Sequence, residues 1–294
     1  MKFKNIAELV SYANSENKPI SEIMIEAEMD FSERSREEVY TQMEDSLVVM
    51  ERAVLRGLTE DVKSHSGMTG GDAKKIDEYR KINQPLAGDL LLEAVSKAVS
   101  TSEVNAAMGT IVATPTAGSC GVLPGVLFSV GPRLGASHDQ MVRALFHAGA
   151  VGFVIANNAM ISGATGGCQA EVGSAVAMAA AAIVEMRGGT PQQSAEAISI
   201  ALKNMLGLVC DPIAGLVEAP CVKRNAMGAA YAIVSADLAL AGVTSIIPTD
   251  EVIEAMYRVG LAMPSTLRET ALGGLATTPT GKSLENKIFG KVMK

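Results

Sequence analysis

Apolar residues recur every three to four positions amid charges over residues 21–28 and 35–56. This period predicts amphipathic helices, so the first 60 residues read as two or three helices. Ser35 followed by Glu38 supplies a capping box for the second of these. The pattern breaks at His65-Ser66-Gly67-Met68-Thr69-Gly70-Gly71-Asp72, a polar, glycine-bearing segment that predicts a loop. A helix over 88–100 follows. Beyond it, apolar helices alternate with short glycine-rich turns, and helices are predicted over 138–156, 171–187, 191–206, 225–241 and 249–260. Thr190 is the expected N-cap of one, with Pro191 at its first position. Thr249 is the expected N-cap of another, with acidic residues in its first turn. Alternating β-branched runs are missing apart from short candidates such as 109–113. The fold class is therefore mainly α. After residue 263 the chain turns basic and ends in a short amphipathic piece.

Two stretches carry no Asp, Glu, Lys or Arg: 104–132 and 144–170. Each is long enough to span a bilayer. The first is interrupted by prolines and glycines, however, and the second holds His147, Asn157, Asn158 and a glycine-rich end. The most uniform apolar run, 172–184, is too short and is bracketed by Glu171 and Glu185. These segments read as buried walls around a polar site, and no membrane partner is expected. With 294 residues the chain forms one large domain or two small ones. A net charge of −7, few aromatics and no basic stripe argue against nucleic acid as a partner. Alanine, glycine and methionine suit closely packed helices.

The start of the chain is charged and polar, so the protein is expected to stay in a reducing cytosol, where disulfides are rare. Three of its four cysteines stand in turn contexts: Gly167-Cys168-Gln169, Cys210-Asp211-Pro212 and Pro220-Cys221. Glycine and free backbone N–H groups near a thiolate suit a metal site. There are 41 residues between Cys168 and Cys210 and 10 between Cys210 and Cys221. That spacing excludes a zinc ribbon and the tight ferredoxin run. It leaves two readings open: one metal site, or three unrelated buried thiols. A cluster held by three thiolates would leave one iron open as a Lewis acid, which suits dehydration better than electron transfer.

Thr114-Pro115-Thr116-Ala117-Gly118-Ser119-Cys120-Gly121 gathers hydroxyls and backbone donors in one turn, which can bind a carboxylate or phosphate. The plainer reading is a helix-entry turn. Cys120 can be a fourth ligand, a pocket residue or a core thiol, and the anion-cradle character of its loop favours the pocket. His65, in a polar loop, is a candidate base; His147 lies on an apolar helix and reads as a core residue; His138 sits at a helix start on the surface. Arg268 and Glu269 either orient a carboxylate or form a structural ion pair. Lys223 and Arg224 either offset the charge of a cluster or belong to a solvated helix start.

Four segments, TPTAGSCGVLPG from Thr114, SGATGGCQAEVGSA from Ser162, GLVCDPIAGLVEAPCVKRNA from Gly207 and RETALGGLATTPTGK from Arg268, closely resemble the iron–sulfur L-serine dehydratases, and specifically the α chain of the two-subunit type. The resemblance covers nearly the whole sequence. It implies one helical catalytic domain over 1–294, with a helical N-terminal segment over 1–60, the cluster and substrate core over 104–226, and glycine-rich loops around an iron–sulfur site. It implies a [4Fe-4S] cluster on Cys168, Cys210 and Cys221, substrate binding by Thr114, Thr116, Gly118, Ser119 and Cys120, and conversion of L-serine to pyruvate and ammonia without pyridoxal phosphate. It implies a β subunit as partner. The Ser-His-Thr motif resembling the family's base belongs to the β portion, and His65 is no close copy of it, so the base falls either on His65 or on the partner. Single-chain relatives can carry a C-terminal cysteine that reaches the fourth iron; here the end reads Phe289-Gly290-Lys291-Val292-Met293-Lys294. Two other classes are a scaffold with a redox-inert zinc site and a pyridoxal-phosphate dehydratase, which needs a lysine in a cofactor loop that the sequence does not display.

Overall fold

A computed structural model describes residues 3–290, so the terminal residues 291–294 of the cysteine-free tail lie outside it. Helices hold 71% of the residues and no β-strand forms among those described, which establishes a mainly α architecture. The N-terminal segment is three helices, α1 (Ile6–Ser15), α2 (Ile20–Ser32) and α3 (Arg36–Thr59). Then come α4 (Asp72–Ile82), α5 (Asp89–Ala106), α6 (Val122–Leu134), α7 (His138–Asn158) and the single turn α8 (Gly163–Gly166). The chain finishes with α9 (Ser174–Met186), α10 (Pro191–Lys203), α11 (Cys221–Leu240), α12 (Thr249–Ala262) and α13 (Pro279–Phe289).

The uniform apolar run becomes the central helix. Every residue of α9 from Ser174 to Val184 is buried, and the helix packs against α6, α7, α10 and α11. A helix that is apolar all round must be enclosed, and its alanines let four neighbours approach at once. The stretch Gln169–Met186 is the one helical segment among the described residues long and apolar enough to cross a membrane, and 89% of it is buried inside the protein. Around this centre α5 packs on α3, α4, α6 and α11. The crossing of α5 and α6 is close: a Cβ on Gly125 would stand 2.7 Å from the Ala94 carbonyl oxygen.

Several ends are capped from a distance. The Asp250 carboxylate on α12 accepts hydrogen bonds from the Ile6 and Ala7 N–H groups of α1 at 2.8 and 3.0 Å. Glu103 on α5 accepts from Asp72 and Ala73 at the start of α4. These carboxylates satisfy orphan donors and complement the helix dipole. His147, fully buried on α7, lies with Nδ1 2.9 Å from Glu185 Oε2, whereas exposed His138 pairs with Glu44.

Four details differ from the sequence reading. Residues 109–113 form no strand. Thr249 is the first helical residue rather than the cap, because its hydroxyl turns inward to donate to the Ala195 carbonyl and accept from Ser199. Helix α4 was hidden by its charge; only Ala73 in it is buried. Cys221 is not in a loop but opens α11, the helix starting directly after Pro220.

Candidate active site

The site lies at the N-terminal end of α9, where several chain ends meet. Gly167, with φ +76°, turns the chain out of α8 into Cys168. A Cβ there would also strike the Met263 sulfur at 2.6 Å, so only glycine fits. The chain then makes one π-helical turn, Gln169–Gly173, that runs straight into α9. Gln169 fixes this turn: its Nε2 donates to the Met256 carbonyl, and its Oε1 accepts from the Gly207 N–H. Its backbone N–H donates to the Leu208 carbonyl. The segment carrying Cys210 is held from the other side, where Cys210 N–H donates to Leu267 O at 2.8 Å and Glu269 N–H donates to Cys210 O at 2.7 Å. Cys221 arrives as the first residue of α11.

The sulfurs of Cys168 and Cys210 and a carboxylate oxygen of Glu171 all lie within 4.8 Å of one another, and all three residues are buried. Cys221 is outside that group but near it. Burial raises its thiol pKa, and the negative charge of Cys168 and Glu171 adds to the rise. Arg224, one turn into α11, reaches back to place Nη1 3.4 Å from Cys168 Sγ. The same Nη1 donates to the Val209 carbonyl at 2.8 Å, and Nη2 lies 2.8 Å from Asp211 Oδ1. Cys168 is held below the ordinary thiol range because Cys210 donates a hydrogen bond to it and Arg224 lies alongside, against the opposing cost of burial. That same hydrogen bond, together with burial, pushes Cys210 up. Burial also raises the pKa of Glu171. Two buried sulfurs and a carboxylate, with a guanidinium beside one sulfur, form a group that could bind a metal.

The threonine–serine loop lies against this group. Thr116 Oγ1 donates to Glu171 Oε1 at 2.8 Å. Ser119 Oγ donates to the Thr114 carbonyl and closes the turn. Asn225 on α11 clamps it at two points: its Nδ2 donates to Gly118 O at 2.8 Å and its Oδ1 accepts from Gly121 N–H at 2.9 Å. Gly118 packs against the carboxylate, since a Cβ there would stand 3.1 Å from both Glu171 oxygens. Thr114 Oγ1 is buried and has no protein partner among the described residues. Cys120 follows the turn, buried, with its thiol pushed up to about 12 by desolvation, and stands outside the cysteine–glutamate group.

His65 is exposed on a turn. Its loop is tied to the segment between Cys210 and Cys221 by Ser66 and Thr69, whose hydroxyls both donate to Glu218 Oε2. Arg268 and Glu269 form no ion pair with each other among the described residues; they act through the backbone, holding Cys210. Lys223 turns away from the thiols to pair with Asp72. Glu171, Asn225, Asp211 and Glu218 escaped sequence reasoning. The one signal for Glu171 was a lone charge three residues after Cys168, at the mouth of an apolar run.

Residues 15–276 match the family described as serine dehydratase alpha chain. The chain belongs to this family. It is 63% identical over 288 residues to the probable L-serine dehydratase, alpha chain, of Bacillus subtilis, covering 98% of this chain and 96% of the relative. It is 45% identical over 282 residues to the L-serine dehydratase, alpha chain, of Peptoniphilus asaccharolyticus, covering 96% and 97%. L-serine dehydratase 1 of Escherichia coli is 36% identical over 280 residues, which make up 93% of this chain but 61% of that relative. The family converts L-serine to pyruvate and ammonia.

Proposed function

We propose that this chain is the α chain of a cytoplasmic, two-subunit L-serine dehydratase of the iron–sulfur type, in which Cys168, Cys210 and Cys221 hold a [4Fe-4S] cluster and no pyridoxal phosphate takes part. The observation that carries the reading is the buried meeting of Cys168, Cys210 and Glu171 beside Arg224, hydrogen-bonded through Thr116 to the substrate loop. The donor set fits such a cluster, since buried thiols with a neighbouring guanidinium stabilise thiolate ligands. When bound, a cluster with three thiolate ligands supplies a Lewis-acidic iron that makes a hydroxyl a better leaving group.

This chain's residues do the rest. The unpartnered hydroxyl of Thr114, with the backbone around Gly118 and Cys120, holds the carboxylate of L-serine in the turn that Asn225 fixes, while Thr116 and Ser119 shape that turn through Glu171 and the Thr114 carbonyl. Arg224 balances thiolate charge. The buried walls from α9 and α11 keep bulk water from the reacting carbon. Loss of the α-proton and the hydroxyl yields aminoacrylate, which tautomerises and hydrolyses to pyruvate and ammonia. Proton removal needs a base within hydrogen-bond reach. His65 is exposed on its turn, which favours a base contributed by the β subunit. The test is anaerobic pyruvate formation from L-serine by this chain alone and with its β chain. Turnover is expected only with both; full turnover by the lone chain contradicts the shared site and makes His65 the base.

A further inference from the structure

Glu171 is a buried carboxylate, 8% exposed, and among the described residues no lysine, arginine or histidine pairs with it. Arg224, the cation beside Cys168, is engaged by Cys168 Sγ, the Val209 carbonyl and Asp211. A carboxylate removed from water without a cation is costly, and such groups are retained where a metal or another positive charge completes them. Its two oxygens have separate surroundings. Oε1 accepts from Thr116. Oε2 faces the thiols and takes a long contact from Cys210 Sγ at 4.0 Å, and the Gly163 N–H also donates to the carboxylate. Gly163 shows that this oxygen and this sulfur border one spot: a Cβ there would stand 2.6 Å from Oε2 and 2.8 Å from the sulfur. One oxygen oriented by a hydroxyl and the other turned to soft donors is the arrangement of a metal-ligating carboxylate with its supporting shell.

We propose that Glu171 is an oxygen donor to the metal centre, serving the iron that the three cysteines leave without a thiolate, while Thr116 orients it from the substrate loop. The assignment rests on the cluster reading and extends it. It also links the two halves of the site, because a ligand held by Thr116 senses the loop that receives the substrate.

The experiment uses the anaerobically purified, cluster-loaded enzyme and follows loss of its labile iron to a chelator, together with the electron paramagnetic resonance signal of the three-iron product formed on controlled oxidation. Wild type is compared with Glu171→Gln, Glu171→Asp and Thr116→Val. Glu171→Gln is expected to release iron about tenfold faster or more, Thr116→Val to fall between it and wild type, and Glu171→Asp to retain iron better than the amide. If Glu171→Gln assembles no cluster, Glu171→Asp is expected to restore it, and failure to do so overturns the assignment. Iron release from Glu171→Gln at the wild-type rate, with only KM for L-serine raised, also overturns it and makes Glu171 a substrate-ammonium contact. Absence of iron and sulfide from the wild-type enzyme defeats the cluster reading instead, so the two failures are distinguishable.

Discussion

Cys168 and Cys210 share one buried contact with opposite effects, the first held toward thiolate and the second kept protonated by the bond it donates. Both sulfurs lie within 4.8 Å of each other and of a Glu171 oxygen, close enough to serve one centre. Serine in place of Cys168, Cys210 or Cys221 is therefore expected to abolish cluster and activity together, because an alkoxide-type donor holds iron–sulfur clusters poorly. Iron and sulfide assays on each variant decide this; a full complement in any one removes that residue from the ligand set. Cys120→Ser is expected to keep the cluster and raise KM for L-serine, since Cys120 directly follows the Ala117–Ser119 turn proposed to hold the substrate carboxylate. Cluster loss in that variant would make Cys120 a ligand. The turns around Cys168 and Cys210 were legible in the sequence because glycine and proline encode local backbone geometry, and the structure brings these two cysteines together. Glu171 was not legible, because its contacts, Thr116 and Cys210, lie 55 and 39 residues away in the sequence.

At the scale of elements, the helices with strong apolar periodicity were readable, and those made by long-range contacts were not. The capping box at Ser35 and the Thr190–Pro191 start both stand where the sequence placed them. α4 forms around an N-terminus capped by Glu103, a contact between segments that no local pattern records. The start of α1 depends in the same way on Asp250. Asp250→Ala is expected to cost about 1 kcal/mol, the usual worth of a lost cap, and thermal unfolding measures it; an unchanged midpoint contradicts the capping role. Glu22, on α2, is bound by Arg36 on α3 and Arg143 on α7. The hydrogen bond from Arg36, helped by Arg143 against the cost of burial, lowers its carboxyl from 4.5 to about 2. A lowered folded-state pKa gives stability that is present above the unfolded value and lost as pH falls through the folded one. The wild type is thus expected to lose about 1 kcal/mol between those values after allowance for solvent screening. Glu22→Gln removes that part of the acid dependence, as denaturant titrations across the window would show; identical slopes for the two proteins contradict the triad.

At the scale of the molecule, α9 does two jobs. Its buried length holds four helices together, and its N-terminal extension carries Cys168 and Glu171 into the site. The centre of the fold and the chemistry are therefore mechanically joined, which makes a cluster held by this chain the claim on which the account rests. The Escherichia coli relative is longer than the shared region, which makes up 61% of it. The most direct measurement is iron and acid-labile sulfide content, with the visible absorption spectrum, of the anaerobically purified α chain. The account predicts about four irons and about four sulfides per chain, and a broad visible absorption that bleaches in air and is missing from the cysteine variants. A colourless protein that contains zinc, or a sharp oxygen-insensitive band from pyridoxal phosphate, would contradict it.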